Sequence, residues 1–100
     1  MGKREDADNF GALDIDHQRK TATLYGKPID FTKTEFELLS LLVSNPGRVF
    51  SKEELLESIW PKDEPAGIKD VDGSIKVIRS KLGDLAGHIT LKPGFGYYFE

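Results

Sequence analysis

Apolar residues change their spacing repeatedly along this chain, and each change predicts a new element. Leu13-Asp14-Ile15-Asp16 alternates apolar and acidic positions, as a half-buried strand does. Thr21–Tyr25 is β-branched and aromatic, Gly26-Lys27 suits a turn, and Pro28–Phe31 alternates again with Ile29 and Phe31 inward. About three antiparallel strands follow from this pattern, with Pro28 near a strand start or on an edge. Thr32-Lys33-Thr34-Glu35 then has the spacing of a capping box. The 36/39/43 and 38/42 spacings of the apolar residues behind it predict a largely buried helix, stopped by Asn45-Pro46-Gly47.

Val49-Phe50 reads as a short apolar connector. Ser51-Lys52-Glu53-Glu54 is a second capping box, opening a helix with Leu55, Leu56, Ile59 and Trp60 that Pro61 ends. Pro61–Gly67 is a loop. A third helix is expected from about Lys69 to Leu82, with Gly83 just past its end. Val71, Ile75, Ile78 and Leu82 fall within about 60° of one another at 100° per residue, a narrow apolar stripe. Lys69, Gly73, Lys76, Val77 and Ser80 lie opposite, with Arg79 on one flank. His88–Lys92 and Phe95–Phe99 predict a closing hairpin about Pro93-Gly94, where Pro suits the first turn position and Gly the next. Met1–Asn9 is polar and aperiodic, and is expected to be a linker or an expression remnant, leaving 10–100 as the domain.

The composition excludes more than it selects. With 38% hydrophobic and 31% charged residues the 100-residue chain reads as one globular domain. The densest apolar stretch, around Leu38–Leu42, is interrupted by Ser40, so no membrane span is expected, and Met1–Asn9 lacks the apolar core of a secretory signal. The absence of cysteine removes thiol catalysis, disulfides and Cys-based metal sites. His17 and His88 are far apart in sequence and read as surface histidines, so neither a metal site nor a cofactor is expected. Gly94-Phe95-Gly96 is not a phosphate loop, because aromatic strand residues follow it rather than a helix start. An enzyme is therefore the weakest reading.

Net charge is −3, which on its face argues against nucleic acid, but the charges are unevenly distributed. Residues 51–72 carry three Lys and seven carboxylates; residues 73–98 carry Lys76, Arg79, Lys81 and Lys92 against Asp84 alone. The cationic stretch coincides with the third helix and the hairpin. A small sheet, three helices and a hairpin make an α+β winged helix-turn-helix. In that order of elements two helices brace a third, whose outer face fits the ~12 Å major groove of double-stranded DNA.

Thr34-Glu35-Phe36-Glu37-Leu38-Leu39, Asn45-Pro46-Gly47-Arg48-Val49-Phe50-Ser51, Glu54-Leu55-Leu56, Trp60, Val71-Asp72, Arg79-Ser80-Lys81-Leu82-Gly83 and Gly94-Phe95-Gly96-Tyr97 carry a further signal. Together, in this order, they resemble the OmpR/PhoB-type DNA-binding domain of bacterial two-component response regulators, over roughly residues 10–100. The resemblance implies an N-terminal four-stranded sheet and a cytoplasmic transcription regulator that binds direct repeats as a head-to-tail pair. It also implies a receiver domain and a sensor kinase as partners, and makes the chain look like an excised effector domain. The segment matching the family's RNA polymerase contact is Pro61–Ile68, which otherwise reads as a solvated connector.

The family's DNA contacts carry over unevenly. Trp60 matches a residue whose indole N–H meets a phosphate; the other reading is a core or cap residue. Lys69 stands where an Arg is usual, keeping the charge without the bidentate fork. Lys76 and Arg79 match cationic positions; Lys92 and Tyr97 lie on the matching wing. Gly73 and Ser74 replace a common Val-His pair, Val77 replaces a frequent Arg, Asp70 a common Thr, and Pro93 the wing Arg. Asp70 suits a helix cap or a cytosine N4 contact, and Val77 a thymine methyl. The alternative from another class is a winged-helix protein-interaction module, favoured by the acidic 51–72 stretch.

Overall fold

A computed structural model describes residues 7–100. Four short strands come first: β1 (Ala7–Phe10), β2 (Leu13–Asp16), β3 (Thr21–Leu24) and β4 (Lys27–Pro28), antiparallel in sequential order. Ala7–Asn9, expected to belong to the lead-in, instead pair with β2, Asn9 opposite Asp14. The missing signal is local: an edge strand paired on one side needs no apolar alternation. Residues 1–6 of that expected linker lie outside the described residues. The strand expected over Pro28–Phe31 stops at Pro28, which has no N–H to extend the ladder. Ile29 donates its N–H to the Ala22 carbonyl at 2.9 Å, and Ile29 and Phe31 pack half-buried against the core.

Both capping boxes form. Thr32 Oγ1 accepts the Glu35 N–H and Glu35 Oε1 accepts the Thr32 N–H, each at 3.1 Å, starting α1 (Lys33–Val43). Ser51 and Glu54 do the same at 3.0 Å for α2 (Lys52–Ile59). Each cap contributes about 1 kcal/mol. The third helix, α3 (Ile68–Leu82), starts one residue earlier than its sequence suggests and runs into a 3-10 helix over Gly83–His88. The wing pairs β5 (Ile89–Lys92) with β6 (Gly96–Phe99), register Ile89 to Phe99 and Lys92 to Gly96.

The core lies between the β1–β4 sheet, the three helices and the wing. Leu13 and Ile15 of β2, Leu38, Leu39 and Leu42 of α1, Leu55 of α2, and Ile89 and Phe99 of the wing are all buried. So is the entire predicted stripe of α3: Val71, Ile75, Ile78 and Leu82. Phe50, expected to be a plain connector residue, does more. It exchanges two backbone hydrogen bonds with Tyr97, at 2.8 and 2.9 Å, which adds a third chain segment to the wing.

Candidate nucleic-acid interface

With its stripe in the core, α3 turns Lys69, Gly73, Lys76, Val77, Arg79 and Ser80 to solvent. A Cβ added at Gly73 would meet nothing within 4 Å, so the absent side chain answers no crowding from the protein itself. Gly is about 1 kcal/mol less favourable than Ala within a helix, and Val a further several tenths. The outer face therefore forgoes on the order of 1.5 kcal/mol of helix propensity at Gly73 and Val77. Ser74 is half-buried on the edge of this face. At the helix start Asp70 Oδ2 accepts the Gly67 N–H at 2.8 Å, so its carboxylate serves as a cap. This is the capping role that the sequence offered beside a cytosine contact.

Between α3 and the wing runs a cleft of about 380 Å³, lined by Asp72, Lys76, Arg79, Leu91 and Tyr97 among others. Tyr97, expected to be a DNA contact, lies at 7% exposure on its floor. Its hydroxyl donates to Asp72 Oδ1 at 2.6 Å, and Lys52 Nζ of α2 reaches the same oxygen at 3.1 Å. Tyr97 is thus a strut between β6 and α3 at the floor of this cleft, where Gly96, Tyr97 and Phe99 are all buried. Tyr97 is pushed up to about 12 by burial and then by the Asp72 carboxylate. Asp72 is held below the usual carboxylate range, first by the Tyr97 hydroxyl and then by Lys52, against the opposing effect of burial. This α2–α3–wing linkage spans 20 and 25 residues of sequence, and no local pattern announces it.

The remaining cations separate into two groups. Lys69 and Lys76 stand exposed on α3, and Arg79 is exposed while its Nε donates to the Ala86 carbonyl at 3.3 Å. Lys81, by contrast, faces the other way. Its Nζ donates to Asp30 O and to Glu35 Oε1, both at 2.7 Å, so this member of the basic C-terminal stretch braces α1. On the wing, Phe95 N–H donates to Lys92 O at 2.9 Å across Pro93-Gly94, and Gly94 takes φ 82° as the turn demands. Lys92 is exposed, with its ammonium 5.2 Å from the Phe95 ring centroid. Leu91 and Phe95, at 43% and 66% exposure, are wing residues that sequence reasoning did not single out. Their place in a strand pattern, in and out of the core by turns, was the signal available.

Trp60 caps α2 and packs half-buried against the core. It also borders a cleft with Leu56, Glu57, Pro61, Lys62, Glu64 and Ala66, so the loop expected as a protein contact has a partly apolar wall. The histidines differ from expectation. Both are half-buried: His17 Nδ1 meets Ser40 Oγ at 2.5 Å, and His88 stacks on Phe99 at 14° with Nδ1 2.5 Å from Glu100 O. Each therefore ties an irregular segment to the core.

Residues 26–99 match the family described as transcriptional regulatory protein, C terminal. The chain belongs to that family. Response regulator ArlR of Staphylococcus haemolyticus is 33% identical over 94% of this chain and 44% of its own length. Response regulator DrrB of Thermotoga maritima, an OmpR/PhoB homolog, superposes with a TM-score of 0.86 at 37% identity, over 96% of this chain and 45% of its own. The DNA-binding domain of RstA from Klebsiella pneumoniae, solved in complex with the RstA box, has a TM-score of 0.81 at 26% identity, over 95% of this chain and 97% of its own. The chain thus spans under half the length of ArlR and DrrB. Its fold is the OmpR/PhoB winged helix, and the family is one of transcriptional regulators, which is not an enzyme class. Among the described residues no helix of this OmpR/PhoB-type domain is long and apolar enough to cross a membrane.

Proposed function

We propose that this domain is the effector of a two-component transcriptional response regulator and binds double-stranded DNA sequence-specifically. In this reading α3 enters the major groove and the wing lies on the adjacent backbone or minor groove. One observation carries it: among the described residues, no strand covers the face of α3 opposite the core. Lys69, Lys76, Arg79 and Lys92 take the phosphates; Gly73, Ser74 and Val77 approach base edges; Trp60 flanks the backbone. The RstA domain solved with its box supports the reading by likeness. A receiver domain and a sensor kinase belong to it as partners, as do a cytoplasmic location and a non-catalytic role.

Affinity follows from the charge count. Four phosphate contacts give a salt slope near −3.6, or about two orders of magnitude between 50 and 200 mM salt. One domain alone then binds in the micromolar range or weaker. Two tethered copies on direct repeats gain effective concentration, so useful affinity comes from pairing. Selection of random duplexes by a covalent tandem dimer tests this. Enrichment of direct repeats is expected, with chemical-shift changes over residues 69–81 and 92–98. Nanomolar binding by one domain at 200 mM salt would refute the affinity argument.

The loop after α2 supports one further partner. Glu57, Lys62 and Glu64 rim the apolar wall at Trp60 and Pro61, which suits a protein surface such as RNA polymerase at Pro61–Ile68. A duplex that leaves 69–81 unperturbed would instead favour a protein-interaction module without DNA.

A further inference from the structure

Val77 is 40% exposed at the middle of α3. A single exposed apolar residue on a protein surface needs no explanation; its surroundings here do. One helical turn earlier on the same face is Gly73, with open space where its side chain would stand. On the wing side, at the position just before it, is Lys76, and Lys69 lies beyond, both exposed. On one side of this face Val77 therefore presents a pair of methyl groups beside the bare backbone of Gly73, with Ser80 near its middle and the exposed Lys69 and Lys76 toward the other side. No planar donor or carboxamide stands there, although guanine and adenine are read by such groups. The neighbouring carboxylates are already committed, Asp70 to the Gly67 N–H and Asp72 to Tyr97 and Lys52.

We infer that Val77 reads the C5-methyl group of thymine, and that this contact, made possible by the bare backbone at Gly73, is what gives the domain its base preference. The inference rests on the DNA-binding reading above. An apolar side chain discriminates thymine by excluding water from its methyl group, since the major groove of the other bases offers no such group. Because the feature recognised is a methyl and not a hydrogen-bonding pattern, 5-methylcytosine satisfies Val77 where cytosine does not.

The test uses the 100-residue chain, the best duplex from a random-library selection, and copies of that duplex altered at single bases. Binding is read by fluorescence anisotropy at 50 mM salt. Replacing the contacted thymine by uracil removes only the methyl group and weakens binding about fourfold, the factor for exposing one buried methyl. Cytosine at that position binds worse than 5-methylcytosine by a similar factor. Val77→Ala, at an exposed site that leaves folding intact, brings both ratios close to one. Val77→Arg moves the enriched base from thymine to guanine. Uracil binding as tightly as thymine at every position, or the same ratio in Val77→Ala, overturns the inference while leaving DNA binding intact. Failure of every duplex to bind wild type at 50 mM salt overturns the DNA-binding reading itself.

Discussion

Removing one oxygen from the wing isolates the linkage that sets its angle. In Tyr97→Phe the ring stays buried and the bond to Asp72, 2.6 Å in the native protein, is lost. A hydrogen bond to a charged acceptor is worth about 1.5–3 kcal/mol. Asp72 keeps Lys52 at 3.1 Å, and its side chain is 40% exposed, so water replaces part of the lost partner. The expected cost is therefore near the lower end, about 1–2 kcal/mol, or roughly 5–10 °C in Tm for a domain of this size. Its pH dependence has a definite sign. Asp72 titrates below its unfolded value, so the stability it supplies is present above that unfolded value and is lost as pH falls through the lower folded one. Urea unfolding of wild type and Tyr97→Phe at pH 7 and pH 2.5 measures this: the gap should be widest at pH 7 and shrink in acid. At high pH the wild type should lose stability between about 10 and 12, because unfolded tyrosine ionises first, and Tyr97→Phe should lose less. Equal stability at pH 7, or a gap that persists undiminished in acid, would refute the reasoning.

Three other substitutions probe separate elements. Gly96→Ala places a Cβ 1.8 Å from the Phe50 carbonyl oxygen at a residue with φ 148°, and calorimetry should report a loss above about 3 kcal/mol or no cooperative transition. Gly73→Ala meets open space and should raise thermal stability by about 1 kcal/mol while weakening DNA binding, so that the two readouts move in opposite directions. Lys81→Met should cost about 1 kcal/mol at pH 7, measured by urea unfolding, because Glu35 loses its partner. Burial opposes ionisation of Glu35, and Lys81 with the Thr32 N–H more than offsets it; the Lys81 contribution should fade as pH drops below the carboxylate range.

Elements governed by local chemistry were legible in the chain, and those governed by distant contacts were not. The capping boxes at Thr32 and Ser51 and the stripe from Val71 to Leu82 are short-range patterns, and all formed as read. The Pro93-Gly94 turn is another. The strand through Ala7–Asn9 has no alternation to betray it, because β1 meets a neighbour on one side only. For the interface, the outward orientation of Lys69, Lys76 and Val77 followed from helical phase. The hydrogen bond of Tyr97 depends on Asp72 across 25 residues, and that of Lys81 on Glu35 across 46, so residue type alone announced neither.

The bridge between Phe50 and Tyr97 has a mechanical consequence. Since the closing strand of the hairpin is hydrogen-bonded, one residue pair in from the turn, to the segment that joins the first two helices, the hairpin can part from the core only when that segment opens too. Amide exchange at Phe50 and Tyr97 should then track global unfolding, while Gly94 exchanges freely. Adaptation to an irregular duplex is left to the few residues at the tip, and the paddle as a whole keeps a fixed heading.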